Sequence, residues 1–307
     1  MKQSSGFGDL DWVTRNKVLR RLSVMTSTQT NPNYSVSHLI SIKLRVLIEY
    51  IVRTIYSFKF NRNALRPIKK LEGSRSEVKA IILANGPSVS RLLSGTNKPD
   101  LKNFDLFVVN FFPLSDLGST LLPKAIVLSD PLTHPLSNTE KNRKLWKWIH
   151  CHENLEIFVP TSWFNYMKQS EFASRCIYFD DRTLVGWTKN ISPIKARGYG
   201  SLTSYKALAI AYFLGYQRIG ILGFDNTMFR AVHTNPQNRV FQGSHYFYDE
   251  KVDLDVTDSL NIGISDYFYD TANSFAYLRF FKKSNIYNLD NQSLVDTITK
   301  IQDLRDF

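Results

Sequence analysis

Val78-Lys79-Ala80-Ile81-Ile82-Leu83-Ala84-Asn85-Gly86-Pro87-Ser88 places six apolar residues among seven directly before a turn of Asn, Gly, Pro and Ser. A strand that is apolar on both faces belongs inside a parallel sheet with helices above and below it. The turn suits a strand-to-helix junction: glycine lets the backbone approach a neighbour, proline stiffens the exit and serine can cap the next helix. Exposed amides at such a helix start favour a phosphate. The same residue types also serve as plain punctuation, and the chain has neither a Walker loop nor the three spaced glycines of a dinucleotide site. The turn therefore decides the fold before it decides a ligand.

Working outward, 106–110, 125–129, 156–160, 176–179, 218–223 and 286–289 repeat the short apolar run of 79–84. Helix-length stretches at 138–150, 162–170, 203–214 and 266–283 fall between them. This alternation predicts an α/β fold, a mainly parallel sheet sandwiched by helices in a Rossmann-like arrangement. Ligands of such sheets sit beyond the C-terminal strand ends. Asn110, Asp130-Pro131 and Gly223-Phe224-Asp225-Asn226 occupy those ends, so four polar strand exits, with Asn85, converge on one edge. The stretch 226–262 lacks clear periodicity and reads as a lid, carrying Arg230, His233, His245, Tyr246 and Tyr248. A loop histidine suits general-base work because its reference pKa lies near neutrality. Asp253-Leu254-Asp255 has the spacing of a metal-holding pair, but the same tripeptide occurs at Asp9-Leu10-Asp11 and neither directly follows a predicted strand. No metal is expected.

Charge divides the 307 residues unevenly. The formal net charge is +12, yet residues 1–75 alone hold 14 Lys/Arg against 4 Asp/Glu. The expected organisation is a basic extension over 1–75 and a nearly neutral body over 76–307. Within the extension, Ile40, Leu44, Leu47, Ile48, Ile51, Ile55 and Phe58 recur at helical spacing between about 37 and 60, with Arg45, Glu49 and Arg53 on the other side. These charges argue against a membrane span. An amphipathic helix lying on an anionic membrane surface is the leading expectation, packing on the body or on another copy the second. A homo-oligomer stays open, and the absence of a nucleic-acid motif speaks against that partner. Only Cys151 and Cys176 are present, and the first thirty residues carry no apolar signal segment. Both point to the cytoplasm, peripheral on the inner face of the membrane.

The order of Asn85-Gly86-Pro87-Ser88, Asp105–Asn110, Ala207–Tyr216 leading to Gly223-Phe224-Asp225, and Ser244-His245-Tyr246 resembles bacterial sialyltransferases of glycosyltransferase family 42, over roughly residues 78–300. The resemblance implies a GT-A-like variant of the α/β fold. It implies an inverting, metal-independent transfer from a CMP-activated nonulosonic acid to a saccharide acceptor, with no cofactor. Surface glycan or lipopolysaccharide assembly would use such a reaction, on an acceptor that can be lipid-linked. Carried over by position, Asn85, Gly86 and Ser88 face the phosphate or ribose and Asn110 the nucleotide. Asp130 stands where the family usually has asparagine, Thr203 and Ser204 hold the donor carboxylate, Asp225 closes the sixth-strand motif, and His245 is the base. One departure matters: Thr227 stands where the family places a tyrosine that stabilises the leaving phosphate. Arg230, Tyr248 and Arg197 are the candidates to replace it. Another CMP-sugar such as Kdo, a pyrophosphokinase-like enzyme sharing the turn, and a non-catalytic membrane-associated module are the alternatives.

Overall fold

The computed structural model describes residues 36–57, 61–93, 100–200, 202–225, 230, 232–243, 254–255, 274–281, 285–301 and 307. Its centre is an eight-stranded sheet in the order β11-β10-β6-β1-β2-β3-β4-β5, every pairing parallel. The strands are β1 (Lys79–Leu83), β2 (Asp105–Val109), β3 (Ala125–Val127), β4 (Glu156–Pro160) and β5 (Cys176–Phe179) on one side. On the other lie β6 (Arg218–Leu222), β10 (Ile286–Asn288) and the two-residue β11 (Thr299–Lys300), the last not expected from sequence. This is the α/β, Rossmann-like arrangement read from the alternation of runs.

The apolar strands are explained by two cores, one per face. Along β1, Ala80 and Ile82 join the cluster containing Phe107, Val109, Phe158 and Ile221, while Ile81 and Leu83 join the one containing Leu106, Val108, Ile157 and Leu222. Alternate side chains thus enter opposite interiors, and both interiors are apolar. Four helices matter for the site: α1 (Val36–Ser57), α2 (Ser88–Leu93), α3 (Glu140–Cys151) and α4 (Thr203–Leu214). Leu145 and Ile149 of α3 cover one face, and α4 covers the other with Tyr205, Ala207, Leu208, Ile210 and Leu214. The 162–170 stretch is a 3-10 turn, Thr161–Trp163, followed by one helical turn, Phe164–Met167.

Two stretches differ from the sequence outline. Residues 61–75, grouped there with the basic extension, are built into the body: Ala64, Leu65 and Ile68 are buried, and the amides of Gly73 and Arg75 donate to the carbonyls of Phe213 and Leu214. Within the 226–262 segment, β7 (Val232–Thr234), β8 (Val240–Gln242) and β9 (Leu254–Asp255) form a small antiparallel sheet. Tight turns with few apolar positions hide such short strands from a periodicity search.

α1 meets the body along one side. Arg182 is anchored by the fully buried carboxylate of Asp180, at 2.6 Å from Nη2 to Oδ2. It donates through Nη1 to Thr54 Oγ1 at 3.0 Å and lies over the Tyr50 ring. Ile40, Leu44, Ile48, Ile51, Val52 and Ile55 stay exposed on the far side. Among the described residues no helix is long and apolar enough to cross a membrane.

Candidate functional site

The strand order reverses between β1 and β6: from β1 the chain steps outward to β5, then returns to β6 on the other flank. The C-terminal strand edge beside that reversal is where such sheets bind their ligands. A cavity of about 580 Å³ occupies it, lined by residues that follow six strands. Seven residues expected from sequence to hold a donor line this cavity: Asn85, Gly86, Asn110, Asp130, Thr203, Ser204 and Asp225.

Ser88 is the eighth, and it turns elsewhere. It is 1% exposed; its amide and hydroxyl both donate to Asp225 Oδ2, at 3.1 and 2.9 Å, and its Oγ accepts from the Gly223 amide at 3.0 Å. The Gly86 amide donates to Gly223 O, and the Val89 amide donates to Gly86 O. Pro87 has no N–H, so the amides of Gly86 and Ser88 in the turn after β1 are directed to the β6 loop. The helix that follows, α2, has six residues and supplies little dipole of its own. Gly86 is needed for a different contact. A Cβ there would lie 2.0 Å from Asp225 Oδ2 and 2.5 Å from Gly223 O. Burial raises the Asp225 carboxyl above its ordinary pKa, while the Ser88 hydrogen bonds oppose that rise.

The opposite lip is polar and connected. Asn110 takes φ of 48°, a left-handed conformation that asparagine tolerates better than most residues, and its side chain bridges two elements. Nδ2 donates to Thr203 Oγ1 at 3.1 Å, and Oδ1 accepts from the Ser129 amide at 3.3 Å. Thr203 Oγ1 lies 2.7 Å from Ser129 Oγ, which accepts from Lys206 Nζ at 2.9 Å. Asp130 caps the short turn after β3, accepting from the Leu132 amide at 2.9 Å, and Asp181 accepts from Thr161 Oγ1 at 2.7 Å. Asn85 Oδ1 is buried in the cavity wall with no hydrogen-bond partner among the described residues. Each such atom is an acceptor waiting for a donor.

Sequence reasoning missed Lys206, Asp181, Ser129 and Arg53, all of which line the cavity. Lys206 had a signal: it is the one charged residue of Thr203–Leu214, an otherwise apolar helix that the fold buries nearly all round. A lone charge in such a helix is held for a reason. Arg53 arrives from α1 and carries no local clue. Of the residues proposed for catalysis, Arg230 is exposed and outside the cavity wall. His245 and Tyr248, with Thr227, lie outside the described residues, as does Asp253 of the acidic tripeptide.

No protein-family model and no curated protein sequence matches the chain. Among solved structures it is similar to the MAf glycosyltransferase from Magnetospirillum magneticum AMB-1, with a TM-score of 0.42 and 12% identity. The likeness covers 74% of this chain and 34% of that one, so the chain spans about a third of that protein's length.

Proposed function

We propose that the chain transfers a nonulosonic acid, sialic acid or a close relative, from its CMP-activated form to a saccharide acceptor, and that the switch-point cavity holds the donor. The observation that carries this reading is convergence. Seven residues chosen from separate stretches of sequence line one cavity, whose volume of about 580 Å³ suits a nucleotide-sized ligand. The unpartnered Asn85 Oδ1 offers an acceptor to a base amino group or a ribose hydroxyl. The reaction is a one-step displacement. His245 takes the proton of the acceptor hydroxyl, that oxygen bonds to the anomeric carbon, and the bond from that carbon to the CMP oxygen breaks on the opposite face. Positive charge on the sugar ring is offset by the donor's own carboxylate.

The acceptor side is proposed to meet a lipid surface. α1 touches the body through Tyr50, Arg53 and Thr54, and turns its isoleucine-rich stripe away from it. A lipid-linked saccharide assembled on the inner membrane face fits that placement.

The test is a panel of CMP-, UDP- and GDP-sugars, CMP-Kdo included, offered with EDTA or with magnesium. CMP-nonulosonate is the donor expected to be consumed, at equal rates in both conditions. His245→Ala is expected to lower transfer by roughly a hundred- to ten-thousand-fold while CMP affinity stays unchanged. Turnover of a UDP-sugar, or a strict magnesium requirement, would sink the reading.

A further inference from the structure

Three sources of positive potential line the cavity. Lys206 and Arg197 are only 6% and 5% exposed, and both line the wall. Among the described residues neither hydrogen-bonds a carboxylate: Lys206 donates to Ser129 Oγ, and Arg197 Nη1 donates to the backbone carbonyl of Asp181 at 2.8 Å. Arg197 Nε is buried, with no partner among the described residues. The third source is the start of α4, a twelve-residue helix with no side-chain cap and no acidic residue in its first turn; its Thr203 and Ser204 line the same wall. A helix N-terminus carries partial positive charge and free amides.

Burying two cations side by side is unfavourable unless something negative joins them. The cavity's carboxylates do so only in part: Asp130 and Asp181 attract Lys206 through space, while their printed hydrogen bonds go to the Leu132 amide and to Thr161, and those of Asp225 go to Ser88. The backbone that carries Arg197 is held in place. The Arg197 amide donates to Arg182 O and its carbonyl accepts from the Leu184 amide, while a Cβ on the adjacent Gly198 would lie 1.8 Å from Thr188 O. We infer that Lys206, Arg197 and the first turn of α4 form an oxyanion subsite that takes the phosphate or the carboxylate of the donor, with Lys206 as its specificity-determining contact. The subsite rests on the donor reading for its ligand, but its electrostatics are those of this chain.

Proton linkage follows. Burial first, then repulsion from Arg197, brings the Lys206 ammonium down to about 7; Asp181 and Asp130 pull it back up, more weakly. Arg53 and Asp225 also line the cavity. An arriving oxyanion favours the ammonium, so binding takes up a proton above pH 7 and weakens as pH rises further. A phosphate monoester is already a dianion in that range, since its second pKa is about 6.

The experiment is calorimetric titration of the full chain with CMP, cytidine, inorganic phosphate and N-acetylneuraminic acid between pH 6 and 9, in buffers of different ionisation enthalpy. CMP is expected to bind at least roughly tenfold tighter than cytidine, with proton uptake above pH 7. Lys206→Met should remove both the gap and the proton uptake while leaving the cytidine Kd in place; Lys206→Gln is the second variant. A Lys206-dependent CMP gap assigns the anion as phosphate, and Lys206-dependent binding of the free acid assigns it as carboxylate. Lys206-dependent binding of inorganic phosphate without any nucleotide binding supports the subsite and rejects the CMP donor. CMP binding indifferent to both substitutions overturns the subsite and leaves the donor reading standing. A variant that fails to fold does not shelter the idea, because wild-type protein that binds CMP no tighter than cytidine, and the free acid not at all, overturns it unaided.

Discussion

Gly86 lines the cavity and also answers a packing demand that the sequence does not announce. From sequence it is a place where a ligand could reach the backbone; in the structure the space that a Cβ would take is filled by Asp225 and Gly223. Gly86→Ala must push the β1 and β6 loops apart, and is expected to destabilise the fold by roughly 1–3 kcal/mol in urea unfolding. Nucleotide affinity should fall with it, because Asp225 moves. Lys206 makes the opposite trade. Its folded pKa of about 7 lies below the ordinary 10.5, so between those values the unfolded chain binds more protons. Wild-type stability should therefore climb from pH 7 toward pH 10 relative to Lys206→Met, whose curve lacks that slope. Below pH 7 the variant should be more stable by on the order of 1–3 kcal/mol, while binding anions less well. A variant no more stable than wild type at pH 6.5 would mean that the ammonium is not paying for its burial.

At the scale of elements, legibility followed side-chain environment. Strands such as Ala80–Leu83 and Ile219–Leu222 are apolar on both faces, so their runs stand out in sequence and their register needs no alternation to read. β7, β8 and β11 are two or three residues long, and too few side chains are buried on them to leave a pattern. The cavity was half legible. Residues just after strands could be named because a parallel sheet dictates where its exits lie. Arg53 could not, since it reaches the cavity through the docking of α1 by Arg182, a contact between residues 128 positions apart. That helix gives a separable expectation. Ile48→Glu combined with Ile55→Glu changes only exposed positions, so donor turnover on a soluble acceptor should hold while sedimentation with anionic vesicles falls at least several-fold. Unchanged vesicle binding would remove the helix from the membrane.

For the whole molecule, the formal charge of +12 concentrates in the first 75 residues, so vesicle association should weaken steeply between low and physiological salt. The eight-stranded sheet also has two outer strands to manage. β11 ends one side after two residues, too short to template another chain. β5 ends the other, and it is met there by the helical turns Asn61–Ala64 and Arg66–Lys70, with Ile68 fully buried. Residues 61–70, packed against this outer strand, are expected to act as a guard rail for its open row of backbone donors and acceptors. A chain cut to begin at 76 is expected to self-associate through that row, seen as a rising apparent mass in size-exclusion chromatography as concentration increases. In this molecule, protection from aggregation is written into the same segment that joins the basic arm to the sheet.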